Sequence, residues 1–227
     1  MDFLRKESYR INDLLAIMEI LRKPEGCPWD REQTHKSIRR NFIEETYEAV
    51  EAIDTGDAAL LKEELGDVLM QVTFHAQIEK ESGGFDFDDV CDGVCKKLIF
   101  RHPHVFADVE AATSAEVLRN WDALKKREKN QNSLADVLRS VSRALPALIR
   151  AEKVQSKAAK AGFGPQNTDE ALEAVRARTE GLEAAVRRGA GEELYAGIGD
   201  ALYVAVDLAR RLGIDPEESL NSASDII

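Results

Sequence analysis

The sequence predicts an all-α protein, and three observations carry that expectation. Apolar residues recur at spacings of three and four along nearly the whole chain. No stretch holds the period-two alternation of a half-buried strand. The breaks between helical segments are short and built from proline, glycine and aspartate.

The first helix is expected over 11–22, with Leu14, Ile17, Met18 and Leu21 on one face, before "KPEGCPWD" breaks it with two prolines and a glycine. A second runs from about 37 to 53, "DTGD" supplies a turn, and a third runs from about 58 to 80. Leu61, Leu65, Val68, Leu69, Val72 and Ala76 form the stripe of that third helix, and "ESGGFDF" ends it. Further helices are expected at about 86–100, 114–129, 133–160, 168–188 and 191–212. The polar run "KKREKNQNS" at 125–133 reads as a linker. On its two sides, "LGDVLMQVTFHAQ" (65–77) and "IGDALYVAVDLAR" (198–210) share a Gly-Asp step and an apolar rhythm. The expected organisation is therefore a catalytic helical unit at 1–128 and a duplicated helical unit at 133–227.

Composition narrows the function. The chain has 227 residues, 44% hydrophobic and 32% charged, which is enough for a sizeable core, and its formal net charge is -11. An acidic surface argues against nucleic acid or an anionic membrane as the main partner. No apolar run reaches the roughly 18–20 residues of a membrane span and the start lacks a signal-peptide core, so the cytoplasm is the expected location. Cys27, Cys91 and Cys95 are too few for a disulfide framework, and no further ligands complete a zinc site with Cys91 and Cys95. Reduced, structural thiols are expected.

The informative stretch is "NFIEETYEAVEAIDTGDAALLKEELGDVLMQ" (41–71). From Asn41 to Glu79 there are ten acidic residues and one base, Lys62. Exposed helix faces normally interleave Lys or Arg to relieve such repulsion. If the two helices form an antiparallel hairpin centred on Gly56, residues equidistant from it face each other: Glu48 with Glu64, and Glu45 with Asp67. Within each helix the partners are three apart and share a face. Four carboxylates then converge, with Glu44 beside them, although the glutamates lie opposite Ile43, Tyr47 and Val50 as an ordinary solvated face would. An all-oxygen ligand set favours a hard cation, Mg²⁺ or Mn²⁺, and such an ion typically takes substrate phosphates as further ligands. A di-iron carboxylate bundle needs a Glu-x-x-His step on two helices, and only Glu32–His35 supplies one.

"EETYE" followed after fifteen residues by "ELGD" resembles the E-E-x-x-E … E-x-x-D signature of the MazG family, the all-α nucleoside triphosphate pyrophosphohydrolases. "GCPWDREQTHKS" (26–37), "RHPHVFADV" (101–109) and "WDALKKRE" (121–128) are also similar to the family pattern. The resemblance implies Mg²⁺-dependent hydrolysis of nucleoside triphosphates at the α–β phosphoanhydride, releasing a monophosphate and pyrophosphate, in a homodimer or higher oligomer. It implies Glu45, Glu48, Glu64 and Asp67 as metal ligands and Glu44 as the residue that holds or deprotonates the attacking water. Substrate contacts would fall on Asn41, Lys97, Arg101, Trp121 and Lys125. Between the lysine and "RHPHVF", where family members often carry charge, this chain has Ile99 and Phe100.

His102 and His104 are expected to pack in a turn. Trp29 is as suited to anchoring the fold as to stacking on a base, and His35 and His75 are left unassigned. A hairpin centred on Ala190 sets Glu180 against Asp200 and Glu183 against Gly197, with Thr179 in the place of Glu44. Only 27 residues follow Asp200, against 58 between Asp67 and Lys125. The second unit is therefore expected to be a degenerate copy kept for packing, dimerisation or regulation. Two non-enzymatic alternatives are a nucleotide- or metal-binding module without turnover and a helical interaction protein that docks a basic partner.

Overall fold

A computed structural model describes residues 4–107, 113–128, 133–189 and 191–224. Among them there is no strand, and the helices are α1 (Ile11–Arg22), α2 (Pro28–Glu32), α3 (Arg39–Thr55), α4 (Ala58–Ser82), α5 (Phe87–Arg101), α6 (Pro103–Phe106), α7 (Ser114–Glu128), α8 (Leu134–Arg139), α9 (Ala147–Ala159), α10 (Thr168–Arg188), α11 (Gly191–Leu212) and α12 (Pro216–Ser224). The all-α expectation holds. The chain divides into two compact units, Met1–Ala111 and Ala112–Ile227, which places α7 in the second.

In the first unit α3 and α4 form an antiparallel hairpin against which α1 and α5 pack. Gly56 turns it with a left-handed φ of 69°, a backbone that side-chain-bearing residues adopt only at a cost. Asp57 then caps α4, its Oδ1 accepting from the backbone N–H groups of Ala59 and Leu60 at 2.9 and 3.0 Å. Met18, Ile38 and Phe74 are the buried centre, with Met70 and Ile78 against them. Arg22 fastens α1 to the end of α4. Its guanidinium donates to Glu81 (2.7 Å) and to the Asp30 carbonyl (2.6 Å) and lies 5.3 Å over the Phe74 ring.

The second unit repeats the hairpin as α10 and α11, with α9 and α12 packed on α11 and α8 packed on α9. Val137, Val141, Ala171, Ala185 and Val206 are buried there. Gly197 lies directly against α10: a Cβ on it would come within 3.1 Å of Leu182 Cδ1.

Several expectations need correction. The helix expected over 133–160 is two helices, because Pro146 lacks an N–H and restricts the residue before it, so that α9 starts beyond the break. α7 runs to Glu128, so the first residues of the expected linker are helical; 129–132 lie outside the described residues. α2, α6 and α12 went unforeseen, being too short to show a period. On α3, the alanines Ala49 and Ala52 are the buried side, whereas Ile43, Tyr47 and Val50 are 44–47% exposed. Small residues allow α3 and α4 to approach closely, and the larger apolar side chains face outward.

Candidate functional site: an acidic helical hairpin

Glu45, Glu48 and Glu64 each offer a carboxylate oxygen, and these oxygens lie within 4.8 Å of one another. Glu45 and Glu48 come from successive turns of α3 and Glu64 from α4, a proximity that agrees with a register about Gly56 in which Glu48 faces Glu64. Asp67 stands outside that triplet but close enough for its charge to act on both Glu45 and Glu64. Desolvation, then the charges of Asp67 and Glu48, hold the Glu45 carboxyl above its ordinary value. Glu64 is raised in the same way by desolvation and by Glu48 and Asp67.

None of these four carboxylates is salt-bridged by a lysine, arginine or histidine among the described residues. Glu44 differs: it is exposed, and its Oε1 accepts from Arg40 Nε at 2.7 Å. The second unit supplies the contrast. Glu183 pairs with Arg187, and Asp200 lies 3.6 Å from Arg178. Of the three acids the copy keeps, Glu183 and Asp200 each have an arginine of the same unit beside them, whereas Glu180 has no such partner among the described residues.

The other expected site residues are placed as follows. Asn41 is half-buried on α3, Lys97 is exposed on α5, and Arg101 is buried at the end of α5. Trp121 and Lys125 are half-buried on α7, in the second unit. The structure thus brings together the α3 and α4 carboxylates within one unit. Of the residues left aside, Trp29 is 59% exposed and does not anchor the core. His102 Nδ1 lies 2.7 Å from the Leu98 carbonyl and its ring is 5.6 Å from that of His104, as a packed turn requires.

Below the carboxylates on the same hairpin is a group that the sequence left unassigned. His35 Nδ1 lies 2.7 Å from His75 Nδ1, and His35 Nε2 lies 2.9 Å from Glu79 Oε1. The His35 tautomer with its proton on Nε2 would donate to the carboxylate and leave Nδ1 to accept from His75. Burial, then the neighbouring His35, lowers the proton affinity of His75. Only the place of His75 was legible, since Glu64, Gln71 and His75 fall at intervals of seven and four and share one face of α4; its pairing with His35 was not.

A hairpin whose unpaired carboxylates gather across two helices defines a class, the all-α acidic-bundle proteins able to hold a hard divalent cation. The model of the MazG nucleotide pyrophosphohydrolase domain matches residues 33–106, which contain that hairpin. A nucleoside triphosphate pyrophosphohydrolase of Escherichia coli is 44% identical over 223 residues, covering 95% of this chain and 83% of that protein. The nucleoside triphosphate pyrophosphohydrolase/pyrophosphatase MazG of Thermotoga maritima is 38% identical over 221 residues, covering 97% and 84%. A nucleoside triphosphate pyrophosphohydrolase of Mycobacterium tuberculosis is 43% identical over 156 residues, covering 68% and 46%. The chain belongs to the MazG family.

Proposed function

We propose that the first unit hydrolyses nucleoside triphosphates at the α–β phosphoanhydride, giving a monophosphate and pyrophosphate. The observation that carries this is the convergence of Glu45, Glu48 and Glu64 with no cation of the chain among them. The donor set fits Mg²⁺, with Mn²⁺ as a substitute, since both prefer carboxylate oxygen. Glu45, Glu48, Glu64 and Asp67 would hold it, and it would supply charge neutralisation at the phosphates and acidify a bound water.

The chain's own groups do the rest. Glu44, oriented by Arg40, takes a proton from the attacking water. The water oxygen bonds to the phosphorus, the bridging P–O bond breaks, and pyrophosphate leaves with that electron pair. Lys97 and Arg101 balance the charge on the leaving group. Trp121 and Lys125 rest on the sequence resemblance alone.

The same proposal extends to assembly and setting. Ile43, Tyr47, Val50 and Ile53 of α3 and Leu65 and Leu69 of α4 are 39–60% exposed, an apolar face that a second copy would cover. The second unit serves packing and dimerisation, with the acidic hairpin of 1–128 as the catalytic part. Among the described residues no helix is long and apolar enough to cross a membrane. The net charge of -11 disfavours nucleic acid and anionic membranes as partners, and on this reading the enzyme would work on the nucleotide pool of the cytoplasm.

Pyrophosphate release from a panel of NTPs and dNTPs, with Mg²⁺ and with chelator, tests the function. Wild type should release pyrophosphate only with the metal, and Glu48→Ala should lose at least about a hundredfold in kcat/KM. Nucleotide binding without product would overturn it.

A further inference from the structure

Gln71 is 5% exposed, and its Oε1 has no hydrogen-bond partner among the described residues. A buried carbonyl oxygen left without a donor costs about 1–3 kcal/mol, so its retention calls for an explanation. Its place is informative. Gln71 is four residues beyond Asp67 and seven beyond Glu64, on the face of α4 that carries the carboxylates toward α3. By the register about Gly56 it lies opposite Asn41. Two carboxamides thus occupy the level between the acidic cluster and the His35–His75–Glu79 group.

The chemistry of the unmet demand is specific. Oε1 can only accept a hydrogen bond. A triphosphate ionised near neutral pH presents acceptors and no donors, so a phosphate would not meet the demand of Oε1. On a nucleotide the donors are the ribose hydroxyls and the N–H groups of the base.

The second unit provides independent support. Four residues beyond Asp200 stands Val204, and four before Glu180, the counterpart of Glu45, stands Arg176, which pairs with Glu173 at 3.7 Å. The copy in which glycine replaces one carboxylate and arginines pair with Glu183 and Asp200 also lacks both carboxamides. A glutamine kept only for packing would have no reason to be lost together with that carboxylate.

Building on the proposed function, we propose that Gln71, with Asn41 opposite it, accepts a hydrogen bond from the nucleoside part of the substrate and so sets sugar or base preference. Donation by a ribose hydroxyl and donation by a base N–H are the two sources of this contact. The test compares kcat/KM for paired substrates, ribo- against deoxynucleotides with one base and several bases with one sugar, in wild type and Gln71→Met. Methionine keeps the length and buried volume but accepts only weakly.

The variant should lose about tenfold or more on substrates that carry the donor and little on those that lack it, so that one ratio collapses toward unity. The ratio that moves, sugar or base, identifies the donor. Asn41→Ala, at a half-buried position that tolerates truncation, should move the same ratio in the same direction. A uniform loss on all substrates, or unchanged ratios in both variants, overturns the assignment while leaving the enzymatic function standing. A wild type that turns over none of the panel overturns the function, and this assignment with it.

Discussion

Replacing Glu45 by glutamine should act in opposite directions with and without metal. In the protein alone, Glu45 sits among Glu48, Glu64 and Asp67, and desolvation and those charges hold its carboxyl above 4.5. A neutral amide of the same shape removes one of the mutually repelling groups. The metal-free variant should therefore melt at or above the wild-type temperature. With Mg²⁺ at about a hundred times its dissociation constant, a ligand binding only the folded state stabilises wild type by about 2.7 kcal/mol. For a chain of this size that is roughly 5–11 °C in Tm, at about 2–4 °C per kcal/mol.

The variant, short of one anionic ligand, should gain less than about a third of that shift at the same concentration. Because the folded pKa is raised, the native state binds more protons than the unfolded chain between 4.5 and the raised value. Metal-free stability should thus fall as pH rises through that window, and the Mg²⁺ shift should grow over the same window. Thermal melts of both proteins, with and without Mg²⁺, read all of this. An equal Mg²⁺ shift in both, or a metal-free variant that melts clearly lower, would refute the metal assignment.

Further outcomes follow from other parts of the molecule. Glu183→Ala and Asp200→Ala, which remove acids already paired with Arg187 and Arg178, should leave pyrophosphate release within about twofold of wild type in steady-state assays. Burial alone would raise the Asp207 carboxyl, but hydrogen bonds and charge from Arg210 and Arg211 outweigh it and hold the group below 3.8. Its stabilisation is present above 3.8 and is lost as pH falls through the depressed value; Asp207→Ala should cost about 1–3 kcal/mol in urea melts at neutral pH, solvent screening keeping it toward the low end. Val50→Glu on the exposed apolar face should convert a dimer to monomer in sedimentation while leaving the helix content by circular dichroism unchanged.

Much of the site was legible because it depends on two periodicities and one turn. Once Gly56 is taken as the pivot, the spacing of Glu45, Glu48 and Glu64 follows from helix geometry alone, and their proximity agrees with it. What could not be read was which side of α3 faces inward. Hydropathy points Ile43, Tyr47 and Val50 toward the core, yet the close approach of α3 and α4 needs the small side chains of Ala49 and Ala52 between them. Similarly, the period through 133–160 runs across Pro146 without a break in apolar pattern, and the missing N–H decides the matter. The His35–His75–Glu79 group joins residues 40 and 44 apart in sequence, and no local pattern predicts such a pairing.

The two hairpins differ in how their acids are neutralised. Both place acids at matched positions about a glycine turn, so the density of negative charge alone does not distinguish them. In α10 and α11, Arg187 and Arg178 stand near Glu183 and Asp200, and this pairing relieves the repulsion at those two acids and leaves Glu180 alone without a basic partner among the described residues. In α3 and α4 Arg40 engages Glu44 and leaves Glu45, Glu48 and Glu64 to repel one another. That residual repulsion is a cost the metal-free fold retains, and on the proposed function it would be the source of affinity for a divalent cation. Substituting an arginine four residues beyond Glu48, Ala52→Arg, would fail as a way to silence the site cleanly, because Ala52 is 1% exposed against α4. The hairpin's close packing therefore keeps basic residues away from the inner turns, so that geometry as well as composition maintains the unpaired acids.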